Sequence, residues 1–226
     1  MNAILYYRWF VFLTAAFYVV YLVLIDGDYS QAFGPFRFLT IWALLFSFFA
    51  ASRMLALTEG RSTRDWPAVV LVTTTLNVMV VYLYWDLVFK DPALVRGNGP
   101  IRWWLDYYAH LAGPLLQWID ALFLHRRLRA LPIAGALLGT VILAYLSFAE
   151  LVLEPLNDQP FGSVTSGLPY PFLNSLEFDG RLSFYVTTAI AAAVVMVVVY
   201  GLSLVIRRVQ TGAWRPAPAY RSGTEA

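Results

Sequence analysis

Six runs of mostly apolar residues, each about twenty long, set the limits on what this chain can become. They cover roughly 7–25, 37–57, 67–89, 103–124, 131–153 and 183–206. A helix rises about 1.5 Å per residue, so about 20 apolar residues cross a hydrocarbon layer of about 30 Å. Only 13% of the residues are charged, against 60% hydrophobic. A soluble domain carries roughly 25% charged residues, and a chain this apolar cannot clothe itself for water. The runs predict an all-α polytopic membrane protein, a six-helix bundle spanning 1–206, followed by a basic tail over 207–226.

Charge placement gives an orientation. Counting the N-terminal segment, second loop, fourth loop and tail, eleven arginines fall on one side. They are Arg8, Arg53, Arg61, Arg64, Arg126, Arg127, Arg129, Arg207, Arg208, Arg215 and Arg221. The other side holds five cations, Arg37, Lys90, Arg96, Arg102 and Arg181. Positive charge stays inside, which predicts both termini in the cytoplasm. The full-length apolar run behind Arg8 reads as a signal anchor. The preference for Arg over Lys fits a GC-rich bacterial genome and an inner-membrane location. The longest loop, about 154–182, is then external and rich in Pro, Gly and Ser. It is either a solvated connection or a lid.

Composition removes several chemistries. With no cysteine, thiolate metal sites, iron–sulfur clusters and cysteine nucleophiles are excluded. P-loop, zincin and serine-elbow motifs are missing. No basic face accompanies the aromatic residues, which argues against a nucleic-acid partner. The expected partners are membrane lipids and a lipid substrate. No cofactor or metal is called for.

Polar residues inside spans are costly and therefore informative. In the fourth run Asp106, His110, Gly113, Gln117 and Asp120 recur at steps of 4, 3, 4 and 3. These positions share roughly 80° of a helix surface. The stripe faces protein or water. It reads as interhelical hydrogen bonding, as a proton path or as a catalytic face. In the second run Arg37, Thr40, Leu44, Ser47 and Ala51 share a face. Thr40 has a bland reading as a helix threonine bonded to its own backbone. Its depth matches that of His110 within about 6 Å. Asp106 lies one turn before His110, in reach of the ring, and suits the orienting third group of a triad. Arg37 and Arg102 are either snorkelling interface arginines or binders of a substrate carboxylate. Ser47, Asn77 and Gln117 are further candidate substrate contacts, Asn77 also reading as an interhelical bond. Glu150, near the outer end of the fifth run, is either solvated or functional.

Four segments in order carry a resemblance: Arg37-Phe38-Leu39-Thr40, Arg64-Asp65-Trp66, Trp104-Leu105-Asp106 with His110, and Tyr170-Pro171-Phe172-Leu173. With these the chain resembles the androgen-induced-gene/FAR-17a-like integral membrane proteins over about 37–206. The resemblance implies an intramembrane threonine hydrolase that cleaves fatty acid esters of hydroxy fatty acids. Thr40 falls on the family nucleophile and His110 on the family base. Animal members carry a second His where this chain has Tyr107 and Tyr108, and an Asn near Asp106. A threonine inside a helix has no free neighbouring N–H for an oxyanion. Oxyanion donors are accordingly expected from Tyr107, Tyr108 or Asn174. Two other classes compete: a proton-coupled transporter using the fourth-run stripe, and a non-catalytic scaffold.

Overall fold

The computed structural model of the protein describes residues 3–30, 32–96, 102–125, 128–156 and 168–210. Arg126, Arg127, Asp158 and the tail from 211, with Arg215 and Arg221, lie outside the described residues. Among the described residues the chain is helical and contains no strand. Six long helical runs follow in order. These are α1 (Ala3–Ile25), α2 (Leu39–Thr58), α3 (Pro67–Lys90), α4 over 103–125, α5 (Leu131–Leu156) and α6 (Phe178–Gln210). Two short helices, Ala93–Arg96 and Pro171–Asn174, sit in connections.

Helices α1, α2, α3, α5 and α6 are long and apolar enough to cross a membrane. The protein is thus an integral membrane protein with at least these five candidate spans. Run α4 covers a similar length, but Asp106, His110, Gln117 and Asp120 lower its hydropathy. Proline marks two helix starts: Pro67 opens α3 and Pro132 lies in the first turn of α5. A proline there sacrifices an N–H that has no intrahelical partner anyway.

Helix α3 is the centre of the bundle, packed by α2, α4, α5 and α6. Its Leu71, Val72 and Met79 meet Met54 of α2, Leu138 of α5 and Met196 of α6 in one buried cluster. Helix α1 lies against α2. The outward faces are apolar as well; Leu24, Leu143 and Val205 are exposed. With apolar surface on both sides, the inner face is distinguished by close fit and by its polar contacts.

One of those contacts corrects the reading of Arg8. Helix α1 begins at Ala3, so Arg8 lies in its second turn and is no loop charge. Its guanidinium reaches Asp120 of α4, with Nη2 2.7 Å from Oδ1 and Nε 3.1 Å from both oxygens. It also donates to the Met54 carbonyl at 3.1 Å and to the Thr58 hydroxyl. Both charged side chains are buried. Removing one partner of such a pair costs about 3–5 kcal/mol, because the other charge is stranded.

Candidate active site

Thr40 owes its setting to the way α2 starts. The segment before it turns at Gly34, whose φ of +49° and close neighbour, the Tyr29 ring at 2.6 Å from any added Cβ, demand glycine. A 3₁₀ turn over Gly34–Arg37 follows, then an extended Phe38, and the α-helix begins at Leu39. Arg37 is consequently outside the helix, and Thr40 is its second residue. The expectation of a helix running from 37 placed Thr40 deeper. In the first turn of a helix the N–H groups have no intrahelical acceptor. The N–H groups on either side of Thr40 are nonetheless engaged, that of Leu39 by the Tyr170 hydroxyl at 3.2 Å and that of Ile41 by the Phe38 carbonyl at 3.0 Å.

His110 is set by a proline four residues later. Pro114 has no N–H for the His110 carbonyl, so α4 widens into a π-helical turn over Tyr108–Ala112. The Gly113 N–H reaches back to the Tyr108 carbonyl. A Cβ on Gly113 would lie 3.0 Å from that oxygen. The freed His110 carbonyl accepts from the Trp85 indole at 2.9 Å. The imidazole stacks on Tyr84, with centroids 3.5 Å apart and planes 6° from parallel. Its Nδ1 lies 3.0 Å from the Asp106 carbonyl oxygen. A carbonyl only accepts, so Nδ1 carries a proton, and in that tautomer of the neutral imidazole the lone pair is on Nε2. That Nε2 is 3.3 Å from Thr40 Oγ1. The orienting contact from Asp106 is thus made by its backbone.

The third group at this point is Tyr170, which the sequence reading used only as a motif residue. Pro169 and Pro171 flank it, and Pro171 holds it extended at φ −112°, ψ 126°. Its ring sits edge-on to Phe38, with centroids 5.9 Å apart. The hydroxyl accepts the Leu39 N–H at 3.2 Å. Thr40 and Tyr145 are its near neighbours. Burial raises its pKa, so the hydroxyl is protonated at neutral pH. Tyr145 donates its own proton to the Arg37 carbonyl at 3.0 Å.

Thr40, His110 and Tyr170 line a cavity of about 920 Å³, within the range of small-molecule sites of roughly 300–1,000 Å³. Its polar end holds Asp28, Arg37, Arg102 and Asp106. Its apolar end holds Leu76, Met79, Val80, Val141 and Ala192. Arg37 is buried, which lowers its pKa, while the nearby Asp28 raises it. Arg102 pairs with Asp26 across the start of α4 and the end of α1. Glu150 is engaged with Arg181 through two contacts of 2.9 Å and with Tyr185 at 2.7 Å. Among the described residues no group of three or more His, Asp or Glu could hold a metal.

Several expected site residues lie elsewhere. Gln117 donates to the Ser47 carbonyl at 3.0 Å, and Asn77 to the Ser47 hydroxyl at 2.9 Å. All three are buried and none lines the large cavity. They tie α2, α3 and α4 together around a void of about 10 Å³, so their assignment as substrate contacts is replaced by a helix-joining one. Tyr107 is exposed and packs toward Trp85. Tyr108 stacks on Tyr18 at 3.5 Å. Asn174 donates to the Leu168 carbonyl at 2.7 Å, closing the turn that carries Tyr170. None of the three lines the large cavity, and Tyr108 borders the small void that Thr40 also borders. The side chain beside the start of α2 is Tyr170, and the two prolines flanking it were its sequence signal.

A helical membrane bundle with a hydroxyl and an imidazole paired at the wall of a deep, mostly apolar cavity is the class of protein described so far. Residues 3–208 match the family described as FAR-17a/AIG1-like protein, and the chain belongs to that family. No curated protein and no solved structure matches the chain.

Proposed function

We propose that this protein is an intramembrane threonine hydrolase that cleaves lipid esters, such as fatty acid esters of hydroxy fatty acids. Thr40 is the nucleophile and His110 the general base. The observation that carries the reading is the 3.3 Å contact between Thr40 Oγ1 and His110 Nε2 at the wall of a largely apolar cavity. Family membership and the resemblance set out above support it.

His110 Nε2 takes the hydroxyl proton as Thr40 Oγ1 attacks the ester carbonyl carbon. The resulting tetrahedral adduct collapses, the ester C–O bond breaks, and the imidazolium returns the proton to the leaving alkoxide. An acyl-threonine and a free hydroxy acid result. Water, deprotonated by the same imidazole, then hydrolyses the acyl-threonine and frees the fatty acid. From the level of Tyr84 to Leu76 the cavity wall descends about 12 Å along α3, room for an acyl chain. Arg37, beside the nucleophile, suits a substrate carboxylate. In this reading the polar end of the cavity faces the exterior of a bacterial inner membrane and both termini are cytoplasmic.

The proton-relay alternative loses support at Asp120, whose carboxylate is held by Arg8. The test is turnover of a lipid ester by the purified protein, with covalent labelling by a lipid-like fluorophosphonate. Thr40→Ala should abolish both and His110→Ala should slow both. Wild-type turnover in folded Thr40→Ala would end the reading.

A further inference from the structure

We propose that the Tyr170 hydroxyl is the donor that stabilises the oxyanion formed on the substrate carbonyl when Thr40 attacks. The inference rests on the hydrolase reading and names a reacting group that reading lacks.

Three observations carry it. First, the hydroxyl is next to the nucleophile: it accepts the N–H of Leu39, the residue before Thr40, at 3.2 Å, and Tyr170 lines the same cavity as Thr40 and His110. Second, its proton is transferable to a new acceptor. The phenol oxygen already accepts the Leu39 N–H from the first turn of α2, so its own O–H must point elsewhere. Tyr145 spends its proton on the Arg37 carbonyl, which leaves Tyr170 as the phenol with an O–H to turn toward the cavity. A substrate carbonyl entering from the cavity meets that O–H after rotation about one C–O bond. Third, the Leu39 amide donor on the phenol oxygen draws electron density from it and strengthens the O–H as a donor. The positive end of the α2 dipole acts in the same sense.

In the step itself, Thr40 Oγ1 bonds the carbonyl carbon and the π pair moves onto the carbonyl oxygen. That oxygen accepts the Tyr170 hydrogen bond, and no proton leaves Tyr170. When the pair returns, the ester C–O bond breaks and His110 protonates the leaving oxygen. The competing role for Tyr170 is purely structural, a polar cap on the start of α2.

The experiment compares wild type, Tyr170→Phe and Thr40→Ala in detergent or nanodiscs. Tyr170→Phe is expected to lower kcat by about 10²–10³-fold with KM nearly constant, the effect of losing one oxyanion donor. A trifluoromethyl ketone carrying the substrate's acyl chain, which forms a tetrahedral adduct with Thr40, should lose affinity in parallel. The corresponding ether, which forms no adduct, should bind as before. A kcat within about 3-fold of wild type, beside an inactive Thr40→Ala, would leave Tyr170 as a cap and overturn the inference alone. An active Thr40→Ala would overturn the hydrolase reading and this inference with it. Should Tyr170→Phe not fold, 3-fluorotyrosine at position 170 keeps size and hydroxyl while raising phenol acidity. A changed kcat is then expected, and an unchanged one would equally overturn the proposal.

Discussion

The two halves of α4 carry the same kind of polar stripe and put it to different uses. In the N-terminal half, Asp106 and His110 line the large cavity, and the imidazole meets the Thr40 hydroxyl. In the C-terminal half, Gln117 and Asp120 are held by the Ser47 carbonyl and by Arg8. Spacing along the helix does not distinguish them. What differs is the neighbour: open volume above, a facing donor or acceptor below. A polar residue in an apolar bundle is a functional candidate where its partner is space, and an assembly device where its partner is another helix.

That contrast can be broken at four points. On the proposed chemistry, Thr40→Ala should lower ester turnover by at least about 10³-fold while thermal stability in detergent stays at the wild-type value. A comparable loss of stability would move Thr40 into the assembly half. Asp120→Ala should do the converse. It strands the buried Arg8 and should destabilise the fold by about 3–5 kcal/mol, with turnover per folded molecule preserved. Proton flux in liposomes that stops with Asp120→Asn would instead restore the relay reading. Arg37→Gln should raise KM about 10-fold or more for esters bearing a free carboxylate, as loss of a charge-assisted hydrogen bond does. The methyl-capped ester should be unaffected, and equal effects on both would remove Arg37 from substrate binding. Asn77→Ala, which removes the donor to Ser47, should cost about 1 kcal/mol of stability and leave KM unchanged. A KM shift there would return Asn77 to the substrate site.

Much of the bundle was legible in the chain because a lipid-facing helix must be apolar along its whole length. The runs beginning at Pro67, Trp103 and Leu131 become helices starting at those same residues. Pairing Thr40 with His110 came from resemblance and depth together, and the two are adjacent in the fold. Less legible were partners far apart in sequence. Arg8 read as a topology charge because nothing along the chain says that it faces a carboxylate 112 residues away. Ser47, Asn77 and Gln117 read as a binding face because a stripe reports direction but no occupant. Tyr107 and Tyr108 were favoured as donors for their closeness in sequence to His110. The π-helical turn that Pro114 imposes leaves Tyr108 against Tyr18 and Tyr107 exposed.

The sequence by itself determined the medium, the order and approximate placing of the helices and the polar stripes, since these follow from hydropathy and from the 3.6-residue period of one helix. Tertiary structure alone decided which polar groups face a cavity, which face each other, and that a tyrosine 130 residues beyond Thr40 (Tyr170) accepts the N–H of the residue before it. The physical reason is that the cost of a buried polar atom is local to its own segment, whereas its partner is set by how separate helices pack.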